Sequence, residues 1–340
     1  MSFDARAIVK HLGRPNAREL SPADAQALFA AMLDGRLDEA AMGAVWMGLR
    51  IKGETQAELA ALLAAAEASY AHWNIAAAPG GRPLVIPSYN GARQLPNLVP
   101  LLACLLARAG VPVLVHGVME DPARTTTREI FEALGNPPCR DAGEAGKRHS
   151  AGLPAFVAID ALAPAVARLL GWRWRIGVRS SIHTVAKMLN PCTGPAVRLV
   201  SVTHPDYLTR MRAFFADDRD GVLLLRGAEG EAVAHPRRAL RMEWLRAGAQ
   251  PFVTAVAVDE VAADVADGRP ANGAGANAAR GQAIGSSPAL PPDCSAPATA
   301  KWIRAALAGA VPIPAPVAAQ LEGCIAATRT PEALRIEVVA

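Results

Sequence analysis

The segment from Trp172 to Pro191, WRWRIGVRSSIHTVAKMLNP, sets Arg173, Arg175, Arg179 and Lys187 beside Trp172 and Trp174. From Ala161 to Pro205 the chain carries six Lys or Arg residues, Arg168 and Arg198 included, and no Asp or Glu. The formal net charge of the whole chain is only +4, so this one-signed block stands apart. Cationic side chains neutralise phosphates and an indole face stacks a base, which is the chemistry of single-strand binding. The opposing reading is a solvated helix face whose cations meet carboxylates from elsewhere in the fold. Core packing is the commoner use of tryptophan, and the i, i+2 spacing leaves at most one of the pair free to stack. Trp174 is the stacking candidate.

Further cations could extend the strip. Arg93 lies in SYNGARQLPN, and Arg124 and Arg128 flank Thr125 to Thr127, which also reads as an N-cap for a helix ending at Gly135. Arg237, Arg238 and Arg241 read as surface charge in a loop-to-helix region. His116 and His183 have no acid or nucleophile at a telling spacing, so each reads as structural and no catalytic residue is assigned. Glu229 and Glu231 read as an acidic loop, with a weak metal site as the alternative. The five cysteines are odd in number, scattered and without a CxxC. They suit reduced thiols in the cytoplasm rather than disulfides or zinc. The residues call for no cofactor and no bound metal.

These side chains need elements to hold them. With 340 residues, 51% of them apolar and few aromatic, the composition suits a helix-rich α/β protein. No apolar run approaches the ~18 residues of a membrane span, and the N-terminus lacks a secretory signal. Ser21-Pro22-Ala23-Asp24 opens a helix that Gly35 closes; others run from about Asp38 to Arg50 and from Thr55, where Glu58 completes a capping box. Strands are expected at Pro83–Pro87, Pro112–His116, Ala155–Ile159, Arg198–Val202, Gly221–Leu225 and Phe252–Val258. Helices fall between most of them, and near Leu98–Arg108, Pro297–Ala308 and Pro314–Ala327. This alternation predicts a mainly parallel sheet covered on both faces. The predicted division is a helical domain over residues 1–75, completed by helices within about 160–190, and an α/β domain over 80–340. Residues 266–299, rich in Gly, Ala, Pro and Ser, read as a mobile insertion. Its GAGANAARG is a poor nucleotide-loop candidate, since no strand precedes it.

The order of elements, with HG…EALG and RIGVRSSIHTVAKMLNP, resembles the anthranilate phosphoribosyltransferase fold over essentially the whole chain. RIKGE at Arg50–Glu54, VIPSYNGAR at Val85–Arg93, VHGVMEDPARTTT at Val115–Thr127, the WRWRIGVR stretch, HP at His204–Pro205 and GAEGE at Gly227–Glu231 resemble its YbiB-like branch. The resemblance implies a small helical domain beside a larger α/β domain. For that branch it implies a homodimer, formed through the helical domain, that binds nucleic acid without sequence preference. Met42, Val45, Trp46 and Leu49 suit either core or interface.

Set against the enzymes, the chain keeps a remnant substrate site at Tyr89, Asn90, Gly91, Asn97, His116 and Gly117. The enzymes' GTGGD loop, whose bare backbone approaches pyrophosphate, reads Pro87-Ser88-Tyr89-Asn90-Gly91 here. Their NxST keeps Asn97 but has Val99 and Pro100 in place of the hydroxyls, and their KHGNR becomes Val115-His116-Gly117-Val118-Met119. The magnesium-binding DE pair is reduced near Gly230-Glu231. Arg173 matches the arginine that meets the aromatic acid, Arg179 matches that of their RT segment, and GPLTNP becomes the helix-like Ala186–Pro191. The resemblance therefore favours a cytoplasmic protein that binds single-stranded DNA or RNA over retained transfer chemistry. The rivals are a phosphoribosyltransferase-type enzyme with a rebuilt substrate site and a scaffold for an acidic protein.

Overall fold

The structure, a computed structural model, describes residues 4–76, 81–249, 252–256 and 290–329. Four helices come first: α1 (Ala5–Leu12), α2 (Pro22–Asp34), α3 (Glu39–Lys52) and α4 (Gln56–Glu67). Their ends follow the capping signals. Ser21 accepts from the Asp24 N–H, Asp38 from that of Ala41, and Thr55 and Glu58 form the expected capping box. Glu58 goes further. Its buried carboxylate also accepts from the Leu20 N–H at 2.9 Å and from Lys52 Nζ at 2.5 Å.

The α/β part runs β1 (Leu84–Ser88), α5 (Val99–Arg108), β2 (Val113–Gly117), α6 (Thr127–Ala133), α7 (Ala142–Ser150), β3 (Ala155–Ala158), α8 (Ile159–Leu162), α9 (Pro164–Ile176) and α10 (Ile182–Val185). It continues with β4 (Val197–Val202), α11 (Pro205–Phe214), β5 (Val222–Arg226), β6 (Leu240–Leu245), β7 (Val253–Val256), α12 (Ala296–Leu307) and α13 (Ala315–Thr328). The sheet order is β3-β2-β1-β4-β5-β6-β7, parallel from β3 to β5 and antiparallel at β6 and β7.

Both faces of the sheet are covered, which is why the parallel strands are apolar throughout. Val85, Leu114, Val157, Val200 and Leu224 face one cluster shared with α2, α3, α4, α9 and α10. Leu84, Ile86, Val115, Leu199 and Leu223 face the other, beneath α5, α6, α12 and α13. Met42, Val45, Trp46 and Leu49 are all buried, so they belong to the protomer's own core; the large exposed apolar residues of α3 are Met47 and Ile51.

Three expectations need correction. Arg241 lies in a strand rather than a loop-to-helix region: Leu240, Met242 and Trp244 alternate inward, and Arg241 pairs with Glu243. The helix-like run to Leu189 is helical only over Ile182–Val185. Arg198 captures the Met188 carbonyl at 3.0 Å, and the chain turns toward Pro191. Of the 266–299 insertion, 266–289, with GAGANAARG, lies outside the described residues, while 296–299 already form the first turn of α12, capped by Ser295.

Candidate nucleic-acid interface

In an open parallel sheet the chain leaves a crevice where successive connections diverge, beyond the strands' carboxyl ends. Here β1 lies between β2 and β4, so that crevice falls beside the loops after β1 and β4. The loop after β1, Tyr89 to Gln94, holds Tyr89, Asn90 and Gly91 of the remnant site. Gly91 has φ +69°, and a Cβ there would stand 2.8 Å from the Thr125 carbonyl oxygen, so only glycine fits. Ala92 and Thr125 exchange backbone hydrogen bonds of 2.8 and 2.9 Å, tying this loop to the segment before α6.

The backbone N–H groups of this loop are occupied from within the chain. Glu231 Oε1 accepts from Asn90 at 2.7 Å and from Gly91 at 2.6 Å. Glu229 accepts from the Arg93 N–H at 2.7 Å and the Gln94 N–H at 3.2 Å, while its carbonyl takes Asn90 Nδ2 at 2.9 Å. A plain acidic loop was the sequence expectation, and its carboxylates instead fill the anion cradle. Magnesium pyrophosphate does not fit this arrangement, because the donors for it are spent and Glu231 is buried against them.

The other remnant residues are structural in their contacts. Ser88 Oγ and Asn97 Nδ2 both bond Thr127 Oγ1, at 2.7 and 2.8 Å. Tyr89 Oη and His116 Nδ1, both buried, lie 2.6 Å apart. Burial pushes the His116 pKa down to about 3, keeping its imidazole neutral. Gly117 follows, where any Cβ would collide with the Ser88 carbonyl of β1.

The cations divide by what they touch. α9 ends at Gly177, and its last turn carries Arg173 and Arg175. The Arg173 guanidinium lies 4.1 Å from the centre of the Trp174 ring and 3.8 Å from Asp121; Trp174 is 56% exposed. Arg175 points another way, over Trp172 at 4.6 Å, with Glu39 at 2.6 Å. Trp172 packs half-buried against the core. Arg128 is committed to the Met119 carbonyl and Glu132, at 2.8 and 2.6 Å. Arg93 is exposed.

Arg124, Arg173, Arg179 and Lys187 form a repelling set. Burial, and then Arg173 and Arg124, lower the pKa of half-buried Arg179. Burial lowers that of Lys187 to about 8 despite Glu231, with Arg179 and Arg124 adding to the fall. Lys187 Nζ donates to the Gly230 carbonyl at 2.7 Å, and Arg124 to that of Gly91 at 3.3 Å. The basic strip thus meets the filled cradle.

Two clefts flank His183. One, of about 300 Å³, is walled by Arg173 and Trp174 but also by Glu120, Asp121 and Asp160. The other, of about 320 Å³, lies between the α3–α4 link and the β4–α11 turn and gathers Arg50, Arg179, Lys187 and Arg210 around a single acid, Glu54. Sequence reasoning missed Arg210 and Tyr207. α11 looked like an ordinary charged surface helix, and only the position of β4 beside β1 turns it toward the strip.

No helix among the described residues is long and apolar enough to cross a membrane. Residues 6–69 match the helical bundle domain of the glycosyl transferase family. Over 332 residues the chain is 38% identical to the protein YbiB of Escherichia coli K12, covering 96% of this chain and 95% of that one. It is 28% identical to the anthranilate phosphoribosyltransferase of Desulfitobacterium hafniense Y51 over 53% of this chain and 52% of the enzyme. Among solved structures, the anthranilate phosphoribosyltransferase of Thermus thermophilus superposes with a TM-score of 0.63 at 19% identity, over 95% of this chain and 87% of that one. The Saccharomyces cerevisiae enzyme with PRPP and Mg gives 0.59 at 13% identity, over 73% and 72% of the two chains. Extent of identity and shared architecture agree, and the chain belongs to the YbiB-like branch of the anthranilate phosphoribosyltransferase family.

Proposed function

We propose that this protein binds single-stranded DNA or RNA without sequence preference, on a phosphoribosyltransferase fold that no longer grips a phosphoribosyl substrate. One observation carries the reading: Trp174 stands exposed with Arg173 against its ring, at the edge of the set formed by Arg124, Arg179 and Lys187. An indole face next to a guanidinium offers stacking and phosphate neutralisation together, with no hydrogen-bond readout of base identity. The enzyme alternative is disfavoured by the Glu229 and Glu231 carboxylates on the loop donors. The protein acts in the cytoplasm as a homodimer joined through the helical domain, for which Met47 and Ile51 supply exposed apolar surface on α3.

Fluorescence anisotropy of a labelled mixed-sequence single strand, across a salt series, tests the reading. Trp174→Ala should weaken binding by about 5- to 150-fold, the worth of one stacked base. Arg173→Gln, which sets no second carboxylate beside Asp121, should flatten the dependence of log K on log salt by about 0.7 for a lost single-strand phosphate contact. Both positions are at least partly exposed, so folding tolerates the changes, whereas charge reversal at Lys187 would place a second carboxylate near Glu231. No binding at low salt, or binding indifferent to both changes, refutes the proposal.

A further inference from the structure

The second cleft shares Arg179 and Lys187 with the strand path just proposed, but Arg50, Glu54, Tyr207 and Arg210 are its own and make its chemistry more specific. Arg50 comes from the last turn of α3 and Glu54 from the link after it, Arg179 and Lys187 from either side of α10, and Tyr207 and Arg210 from the first turns of α11. Arg50 donates to the Arg179 carbonyl at 2.7 Å and Arg210 to the Glu54 carbonyl at 2.5 Å, so neutral acceptors fix these guanidinium groups. Glu54, the one acid among the described residues of the wall, accepts from Ser181 Oγ, and burial raises its pKa. Four cations around one acid select an anion carrying more than one charge. Arginine's fixed fork of donors suits phosphate oxygens.

The rim supplies the other half of a recognition site. Tyr207 is 39% exposed, and the Arg210 guanidinium lies 5.2 Å from its ring centre, so a planar group laid on the open face would continue a stack. His183 forms the wall between the two clefts, and its buried Nε2 has no protein partner. A buried nitrogen of that kind calls for a ligand atom or water to complete it. The volume of about 320 Å³ lies at the small end of the range for small-molecule sites, enough for a single nucleotide but not a folded strand.

We propose that this cleft is a pocket for a 5′-phosphate monoester of a nucleotide, with the phosphate among Arg50, Arg179, Arg210 and Lys187 and the base against Tyr207. A monoester carries up to two charges where a phosphodiester carries one, so the cluster prefers a terminal phosphate to an internal one. The same chemistry is offered by a free mononucleotide and by the 5′ end of a strand. The pocket does not depend on the strand-binding reading, since a free nucleotide would fill it in either case.

Isothermal titration of the full-length protein with AMP and with adenosine tests the pocket, and 5′-phosphorylated and 5′-hydroxyl forms of one oligonucleotide distinguish the two sources. AMP should bind at least about ten-fold more tightly than adenosine, the scale of hydrogen bonds to a charged group. Tyr207→Ala and Arg210→Gln should each abolish most of that binding. Tyr207→Ala changes an exposed side chain and keeps the test available if Arg210→Gln fails to fold. A preference for the 5′-phosphorylated oligonucleotide places a strand end in the pocket; AMP binding without that preference assigns it to free nucleotide. The pocket is overturned if AMP binds no better than adenosine, or if AMP binding survives both variants. Oligonucleotide binding that ignores its terminus alongside AMP that does not bind removes the pocket and leaves the strand-binding reading standing.

Discussion

Replacing Glu231 with alanine removes the acceptor shared by two buried N–H groups, those of Asn90 and Gly91, at 2.7 and 2.6 Å. A buried donor left without a partner costs about 1–3 kcal/mol, so the pair sets an upper range of about 2–6 kcal/mol. Two effects act in opposite directions on that figure. Glu231 Oε2 is buried without a partner, so its loss relieves a desolvation cost; the attraction to half-buried Lys187 is lost with it. A net destabilisation of about 2–4 kcal/mol follows, a large fraction of the 5–15 kcal/mol typical of a folded chain. With a urea slope of about 3 kcal/mol per M for a chain of this size, this should lower the midpoint by about 0.7–1.3 M at an unchanged slope. Glu231→Gln keeps an acceptor oxygen and should lose less. The vacated cradle then presents donors to a small anion, so phosphate should stabilise the alanine variant more than the parent, the cleft beside α11 being common to both. At ten times its dissociation constant, an anion would return about 1.4 kcal/mol. An alanine variant within about 0.5 kcal/mol of the parent, or equal stabilisation of both proteins by phosphate, would refute the cradle argument.

Lys187, with its pKa lowered to about 8, loses its charge on the folded protein well before an exposed lysine does. Oligonucleotide affinity should therefore fall between pH 7 and 9, an effect that Lys187→Arg should remove in the same anisotropy assay. Its effect on stability has the opposite sense: burying the charged form is unfavourable at low pH, and folding gains as pH rises from about 8 toward the unfolded value near 10.4. For Glu58, burial alone would raise the pKa, but the N–H of Leu20, the Lys52 ammonium and the N–H of Thr55 together hold it below the ordinary value. Its contribution is fully present above the unfolded value and disappears as pH falls through the folded one. Glu58→Gln should cost about 3 kcal/mol near neutral pH by leaving Lys52 buried without its counter-charge, and calorimetry should show the gap closing toward acid. Ile51→Glu should convert a dimer to monomer in sedimentation velocity, and an unchanged sedimentation coefficient would remove α3 from the interface.

Much of the fold was legible because its signals are local. Ser21, Thr55 and Gly35 mark helix ends through side-chain oxygens or a left-handed backbone that operate within a few residues, and the structure has them in those roles. The β1 to β5 strands announced themselves as apolar runs because both sheet faces are covered. β6 escaped although LRMEWL alternates, since Arg241 reads as surface charge and nothing local shows that Arg212 comes from α11 to pair with Glu243 at 2.7 Å. Such a pairing brings together residues 31 positions apart, and no local pattern encodes it.

The same distinction applies with more force at the site. Loss of the loop glycines and hydroxyls could be read one residue at a time, because a side chain at Tyr89 or Asn90 changes what the backbone there can approach. What replaced the lost anion could not, because the carboxylate of Glu231 reaches Asn90 across 141 positions of chain. The strip behaves alike. Arg173 and Arg175 are two residues apart with the same charge, yet Asp121 and the exposed Trp174 face one of them and Glu39 neutralises the other. A run of cations in sequence therefore overstates the available charge, while Arg50 and Arg210, which no run contains, increase it where the fold brings α3 and α11 to the same cleft. Charge density at a binding surface is a property of the tertiary structure, so each arginine in the strip has to be weighed by the carboxylate it meets across the fold.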